Sequence, residues 1–318
     1  MFKRKKNLNC YMHLMGGLGN QLFQLAAGLH HSTKHGCILV LDESSESIRR
    51  NESGHADVLS YQSSDYLSTR VQARYKNIIR KITNKIIWIS LISRSNKLNY
   101  YFMFLLVFIQ SIMISMHFSK IVRVWSARQI GYEPINCRHY SNYLIGYFQT
   151  YKYASESQVN SILKSLTAKN ESIELYEDLC KIEKPLIVHI RLGDYLNEPN
   201  FGIVSKEYYS NSISIMMKQY NFMSIHVFSD DIEMAKNFIP KNYLPICRWM
   251  DGDGESPVTT LEKMRCGSAY IIGNSTFSWW GSFLSHSKNP PTIAPEPWFA
   301  GMNEPNELIP PEWIRIRR

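Results

Sequence analysis

The apolar run Pro185-Leu186-Ile187-Val188-His189-Ile190, followed at once by Arg191-Leu192-Gly193-Asp194, constrains this chain more than any other stretch. A short aliphatic run without polar alternation reads as a parallel strand covered on both faces. The strand ends in His-x-Arg-x-Gly-Asp, which sets an imidazole, a guanidinium and a carboxylate at one tip. In open α/β sheets the carboxyl ends of the strands are where ligands bind. A guanidinium suits a diphosphate there, because its fork donates two parallel charge-assisted hydrogen bonds. Taken alone, the run is equally readable as a surface turn closed by a structural Arg–Asp pair.

The α/β rhythm extends along the chain. Residues 10–15 read as a strand, Gly16 to Gly19 as a tight turn, and Asn20 as the start of a helix with Leu22, Phe23, Ala26, Ala27 and His30 on its apolar face. Gly36 ends that helix and Cys37 to Leu41 form the next strand, a βαβ opening. A strand from 143, a helix over 150–167 and a polar helix near 171–182 follow. In the second half, strand 186–190 precedes helix 205–219, and strand 224–228 precedes helix 231–238. Helix 258–266 leads to strand 268–272 and then to helix 275–285. Asn289 to Pro311 is Pro-rich and is expected to wrap the surface. A chain of 318 residues accommodates two cores, and the pattern predicts two doubly wound halves with a boundary near residue 165.

A net charge of +9 implies an anionic partner: nucleic acid, an anionic membrane surface or a phosphorylated substrate. No basic module with interleaved aromatics is present, which argues against nucleic acid. Lys3-Arg4-Lys5-Lys6 reads as a solvated tail or as an electrostatic foot on anionic lipid. The six cysteines and ten histidines show no zinc-ligand spacing, so no metal is expected. The scattered thiols suggest a reducing, cytoplasmic setting, and no apolar signal core follows the basic start.

Leu98 to Ser119 carries no Lys, Arg, Asp or Glu. A single membrane crossing there would strand the two halves on opposite sides of the bilayer. The segment is therefore expected to be a helix buried between halves or one lying in the membrane interface. The interfacial reading is preferred, because Gln110, Ser111 and Ser115 interrupt the apolar run and Arg94, Lys97, Lys120 and Arg123 flank it.

Three further motifs carry chemistry. In Gly16-Gly17-Leu18-Gly19-Asn20, Gly17 and Gly19 let backbone N–H groups approach a ligand, although the run is not G-x-G-x-x-G. In Asn274-Ser275-Thr276-Phe277 the hydroxyls at a helix start can cap it or form an anion nest. In Phe228-Ser229-Asp230-Asp231, Asp230 can accept a bidentate pair from guanine or cap a helix. Trp279 and Trp280 read as packing. Asp251-Gly252-Asp253-Gly254-Glu255 reads as a solvated turn, since Ser256 stands where a calcium loop needs Gly and no strand clearly delivers it. No nucleophile elbow occurs.

Together with Gly146-Tyr147-Phe148-Gln149, these runs resemble glycosyltransferase family 11, the GDP-fucose-dependent α-1,2-fucosyltransferases. The resemblance spans residues of about 10 to about 300, in the family's order. Where many members carry a second Arg, this chain has Leu192, leaving a single guanidinium at the strand tip. The resemblance implies an α/β, GT-B-like fold of two Rossmann-like halves with the site in the cleft between them. Residues 1–165 would form the acceptor side and 166–318 the GDP-fucose-binding domain. It implies inverting, metal-independent transfer of L-fucose, without a cofactor, to a sugar hydroxyl such as O2 of galactose in bacterial surface polysaccharide. Arg191 would stabilise the leaving GDP, Asp194 would orient Arg191, and Asn20 would act beside the site. His189, Gly17, Gly19, Asp230, Asn274, Ser275, Thr276 and Phe277 would contact substrate. The glycan acceptor is expected to be lipid-linked, with the enzyme peripheral on the inner face of the cytoplasmic membrane. The alternatives are another linkage or nucleotide sugar on the same fold, or a non-catalytic nucleotide- or glycan-binding protein.

Overall fold

A computed structural model describes residues 8–43, 45, 47–61, 70–71, 105, 108–109, 111–112, 115, 122–127, 129–135, 140–252 and 254–318. The chain forms two compact units. One comprises Met1–Leu166 with Pro305–Leu308, the other Thr167–Glu304 with Ile309–Arg318. The return of Pro305–Leu308 to the first unit is a feature the single expected boundary did not include.

In the first unit, β1 (Asn9–His13), β2 (Ile38–Asp42), β3 (Arg70–Val71), β4 (Val122–Ser126) and β5 (Ser141–Ile145) form a parallel sheet in the order β3-β2-β1-β5-β4. Helix α1 (Leu18–His35) carries the chain from β1 to β2. It starts two residues earlier than expected: Gly17 is its N-cap, and Asn20 lies inside the first turn rather than at the cap. Gly36 ends the helix with a positive φ of 63°, the left-handed conformation that glycine adopts without a Cβ clash. Gly28 allows α1 to lie against the sheet, since a Cβ there would come within 2.7 Å of Leu39 Cδ1. The anticipated helix 150–167 is two helices, α2 (Tyr151–Ala154), capped by Thr150, and α3 (Ser157–Ser165).

The second unit opens with α4 (Glu171–Glu183). It contains β6 (Leu186–Ile190), β7 (Ile225–Ser229), β8 (Cys247–Asp251), β9 (Ala269–Ile271), β10 (Thr292–Glu296) and β11 (Ile314–Arg317). They are all parallel, in the order β11-β10-β9-β6-β7-β8. The chain builds outward from β6 to β8, returns to β9 beside β6, and builds outward the other way. That is the doubly wound order, and the reversal between β6 and β9 makes their carboxyl ends the crevice where ligands bind. Helices α5 (Lys206–Tyr220), α6 (Ile232–Ala235), α7 (Pro257–Arg265) and α8 (Thr276–Phe283) provide crossovers. Every residue of β6 is buried, as the aliphatic run required.

Three readings need correction. The stretch Asn289–Pro311 does not simply wrap the surface, because it contains β10, an internal strand with Ile293 and Ala294 fully buried. Helix 231–238 is only the single turn α6 followed by a 3-10 turn, Lys236–Phe238. A strand does deliver the Asp-x-Asp loop, since β8 ends at Asp251, while Asp253 lies outside the described residues. Trp279 and Trp280 are fully buried packing groups, as read.

Lys3 to Lys6, most of Leu98–Ser119, and Arg94, Lys97 and Lys120 lie outside the described residues. Leu105, Phe108, Ile109, Ser111, Ile112 and Ser115 are described, and they are helical. The Ser111 and Ser115 hydroxyls hydrogen-bond to Val124 and Val122 of β4. Among the described residues no helix is long and apolar enough to cross a membrane.

Candidate active site

In the second unit, the chain leaves β6 through Arg191 and turns sharply into a 3-10 segment, Gly193–Asn197. Leu192 turns inward and is fully buried with Leu186, Tyr208 and Ile271, so the position of the missing second Arg belongs to the core. The Arg191 fork is held from two sides, with Nη2 2.7 Å from Asp194 Oδ1 and Nη1 3.1 Å from Asp230 Oδ2. Its guanidinium also lies over the Tyr195 ring, 5.6 Å from the centroid, a favourable cation–π placement.

Asp230 is a structural hub. Its Oδ1 accepts the Leu192 N–H at 2.9 Å while Oδ2 faces Arg191, so the pair of oxygens expected to read guanine is engaged within the turn. The α6 cap is the neighbouring Asp231, whose Oδ1 accepts from Met234 N–H. Gly193 is needed for this arrangement, because a Cβ at that position would fall on Asp230 Oδ2. Gly193→Ala is therefore expected to displace Asp230 and cost about 1–3 kcal/mol. A thermal melt of the variant showing the parental midpoint would refute this.

His189 is buried, with its ring tilted against Phe277 at 6.2 Å between centroids. Burial, assisted by the Arg191 charge, brings its pKa down to about 3, so the imidazole is neutral at physiological pH. Its Nδ1 finds no hydrogen-bond partner among the described residues. The His189 carbonyl accepts from Gly273 N–H and Tyr209 OH, both at 3.1 Å, which locks the β6 and β9 tips together. Beyond β9, Asn274 Nδ2 donates to the carbonyls of Phe201 and Gly202 at 3.0 and 2.9 Å. Asn274 thus ties down a loop, and its buried Oδ1 has no partner among the described residues. Ser275 caps α8, accepting from Phe277 N–H at 3.3 Å, while Thr276 and Phe277 are half-buried at the helix start. The topology therefore brings His189, Arg191, Asp194, Asp230 and Asn274–Phe277 together on three adjacent strand ends.

In the first unit the topology reverses between β1 and β5. There the two glycine-containing motifs, far apart in sequence, meet. Gln24 Nε2 donates to the Gly146 carbonyl at 3.3 Å, and Gln149 Nε2 donates to Asn20 Oδ1 at 2.9 Å. Gly16 has a positive φ of 74°, and a Cβ there would come within 2.7 Å of Asn20 Nδ2. Gly17 is extended, and a Cβ there would meet nothing within 4 Å. Gly19 is buried within α1. His13, the last residue of β1, has its Nδ1 3.0 Å from Tyr143 OH and 3.5 Å from Asp42 Oδ2.

Sequence reasoning missed Tyr195, Tyr209 and the His13–Asp42–Tyr143 cluster, and named Gln149 only within its motif. Tyr195 directly follows the strand-tip motif and was within reach. The others are partnered only through the register of strands far apart in the chain.

The sequence profile of Glycosyl transferase family 11 matches residues 10–317. An alpha-1,2-colitosyltransferase of Escherichia coli is 26% identical over 314 residues, covering 96% of this chain and 98% of its own. The O-antigen biosynthesis glycosyltransferase WbnK of Escherichia coli is 26% identical over 335 residues, covering 96% and 100%. Among solved structures, the fucosyltransferase NodZ from Bradyrhizobium matches 88% of this chain and 94% of that one, with a TM-score of 0.50 and 11% identity. At that identity the likeness is one of fold.

Proposed function

The chain belongs to glycosyl transferase family 11, and from that premise we propose that it transfers L-fucose, with inversion, from GDP-fucose to a galactose hydroxyl in an α-1,2 linkage. The fold is α/β, of the GT-B class, with two parallel-sheet units. The observation that carries the reading is Arg191, held by two carboxylates at the β6 tip beside the topological reversal. In-line attack by the acceptor hydroxyl at the anomeric carbon passes through an oxocarbenium-like state and expels GDP, the hydroxyl's proton passing to solvent or, late, to the departing phosphate. A departing diphosphate needs its growing charge stabilised rather than a proton, and preorganised donors do that most effectively.

Asp230 and Asp194 each engage one edge of the fork, and the rest of it serves the diphosphate. Asp230 is 24% exposed and anchored by the Leu192 N–H, whereas Asp194 is 61% exposed. Asp194 is thus the arm that yields when the donor arrives, and its role is to orient Arg191 until then. His189, neutral and buried, backs the site against Phe277. The α8 N-terminus at Ser275, Thr276 and Phe277 offers N–H groups and a hydroxyl to the same anion. Asn20, Gly17 and Gly19 serve the acceptor side.

A second reading has a specific basis. One relative is named as a colitosyltransferase, so the same reaction with nucleotide-activated colitose is the competing specificity. The test is to incubate purified protein with several nucleotide sugars in excess chelator and follow release of GDP. Turnover of GDP-fucose that persists in chelator supports the first reading. Turnover of the colitose donor alone supports the second, and release from no donor leaves a binding protein.

The acceptor is proposed to be lipid-linked, with the enzyme peripheral on the membrane. Leu105, Phe108, Ile109 and Ile112 recur at the spacing of one helical face and are 40–57% exposed. Such a stripe on a chain of net charge +9 suits an anionic bilayer surface. The protein is expected to co-sediment with anionic liposomes, less so at high salt. Phe108→Ser with Ile112→Ser should weaken that binding without unfolding the protein, since both side chains are already exposed. Liposome binding unchanged in the double variant would discard this surface.

A further inference from the structure

Away from the strand tips, the second unit gathers a different set of side chains. Glu177 and Cys180 stand one turn apart on α4, Cys266 follows the end of α7, and His286 follows α8. The ligand atoms of Glu177, Cys266 and His286 all lie within 4.8 Å of one another. We propose that Glu177, Cys266 and His286 form a site for a zinc-like divalent metal.

The donor set selects the metal. A thiolate and an imidazole suit zinc, whereas magnesium and calcium require oxygen ligands. One sulfur, one nitrogen and one carboxylate oxygen supply three positions of a tetrahedron, and solvent takes the fourth. The loop bearing His286 is fixed in advance. Its N–H donates to the Arg265 carbonyl at 3.0 Å, and the flanking Ser285 and Ser287 hydroxyls donate to Gly267 at 3.2 and 2.9 Å. The Cys266 thiol gives up its proton to solvent as the metal binds.

The position defines the role. Cys266 lies just before β9 and His286 shortly before β10, so the cluster occupies the amino-terminal edge of the sheet that presents Arg191 at its carboxyl edge. A metal there ties α4 to the chain entering β9 and β10. It takes no part in transfer, which is why metal-stabilised folding and chelator-resistant turnover coexist.

The experiment uses the whole chain, stripped with chelator and titrated with zinc alone. One equivalent is expected to bind and to raise the melting temperature by about 5–10 °C at roughly a hundredfold excess over Kd. Cobalt in its place should give a thiolate-to-metal charge-transfer band. Cys266→Ser should lose the band and the thermal gain. His286→Ala, on an exposed loop residue, should weaken binding at least tenfold while GDP release stays within a few-fold of the parent. Absence of stoichiometric zinc, zinc binding unchanged in both variants, or thiol titration showing Cys180 and Cys266 consumed in a disulfide would each overturn the assignment.

Discussion

Arg191→Lys is expected to lower GDP-fucose turnover by about 10²–10³-fold, as loss of a preorganised transition-state donor does elsewhere. The substitution keeps the charge and so separates charge from geometry. A guanidinium can face Asp194 with Nη2 and Asp230 with Nη1 while still presenting a planar edge to the diphosphate. An ammonium is a point charge on a flexible stem, and the two carboxylates would compete for it. Folding should survive, because a cation still stands between Asp194 and Asp230. Steady-state assays on the purified variant, alongside a thermal melt, give the answer. A turnover within a few-fold of the parent would remove Arg191 from the reaction.

Acid should unfold the second unit through His189. Its folded pKa of about 3 lies below the unfolded value of 6.5, so the unfolded chain takes up a proton that the folded one refuses. The stabilising contribution is therefore complete above pH 6.5 and is lost as pH falls from there towards 3. At the bottom of that window the loss approaches about 5 kcal/mol, a shift of roughly 3.5 units at 1.36 kcal/mol each. His189→Leu removes the titration. Since Nδ1 has no partner among the described residues, an apolar side chain of similar size should cost little at neutral pH. Urea midpoints measured from pH 8 to pH 4 should fall more steeply for the parent than for the variant. Parallel curves would show that His189 is not the acid-sensitive group. His31 and His286, also held low by burial, remain in both proteins and cancel from the comparison.

The central strands of each sheet were legible because burial on both faces leaves an unbroken aliphatic signature, as in Leu186–Ile190 and Ile38–Leu41. Two strands farther from the centre were not. Cys247–Asp251 reads Cys-Arg-Trp-Met-Asp, with charged residues that an edge strand tolerates and a pattern search rejects. Thr292–Glu296 contains Pro295, which argues against an inner strand, yet it lies between β9 and β11. At the site, residue types at the strand tips were legible, but their partners were not. Asp230 looked like a nucleotide contact or a helix cap. Only the close approach of β7 to β6 reveals that it secures Leu192 and Arg191. Asn20 looked like a cap because Gly17, which occupies that place, has no side chain to announce it. The zinc-type cluster was invisible because its three donors come from three separate stretches at irregular spacing.

The excursion of Pro305–Leu308 bears on how members of this family can exchange parts. Thr150 Oγ1 and the Tyr151 N–H both donate to the Glu307 carbonyl, and Lys152 pairs with the Glu307 carboxylate. Gly131 lies so near Asn306 that a Cβ would come within 2.6 Å of its backbone. These few residues are inherited with the first unit, although they are encoded beyond most of the second. A single recombination near residue 166 would separate them from their hosts. A chimera that exchanges one unit with a relative's therefore needs junctions at three places: after Leu166, after Glu304 and after Leu308.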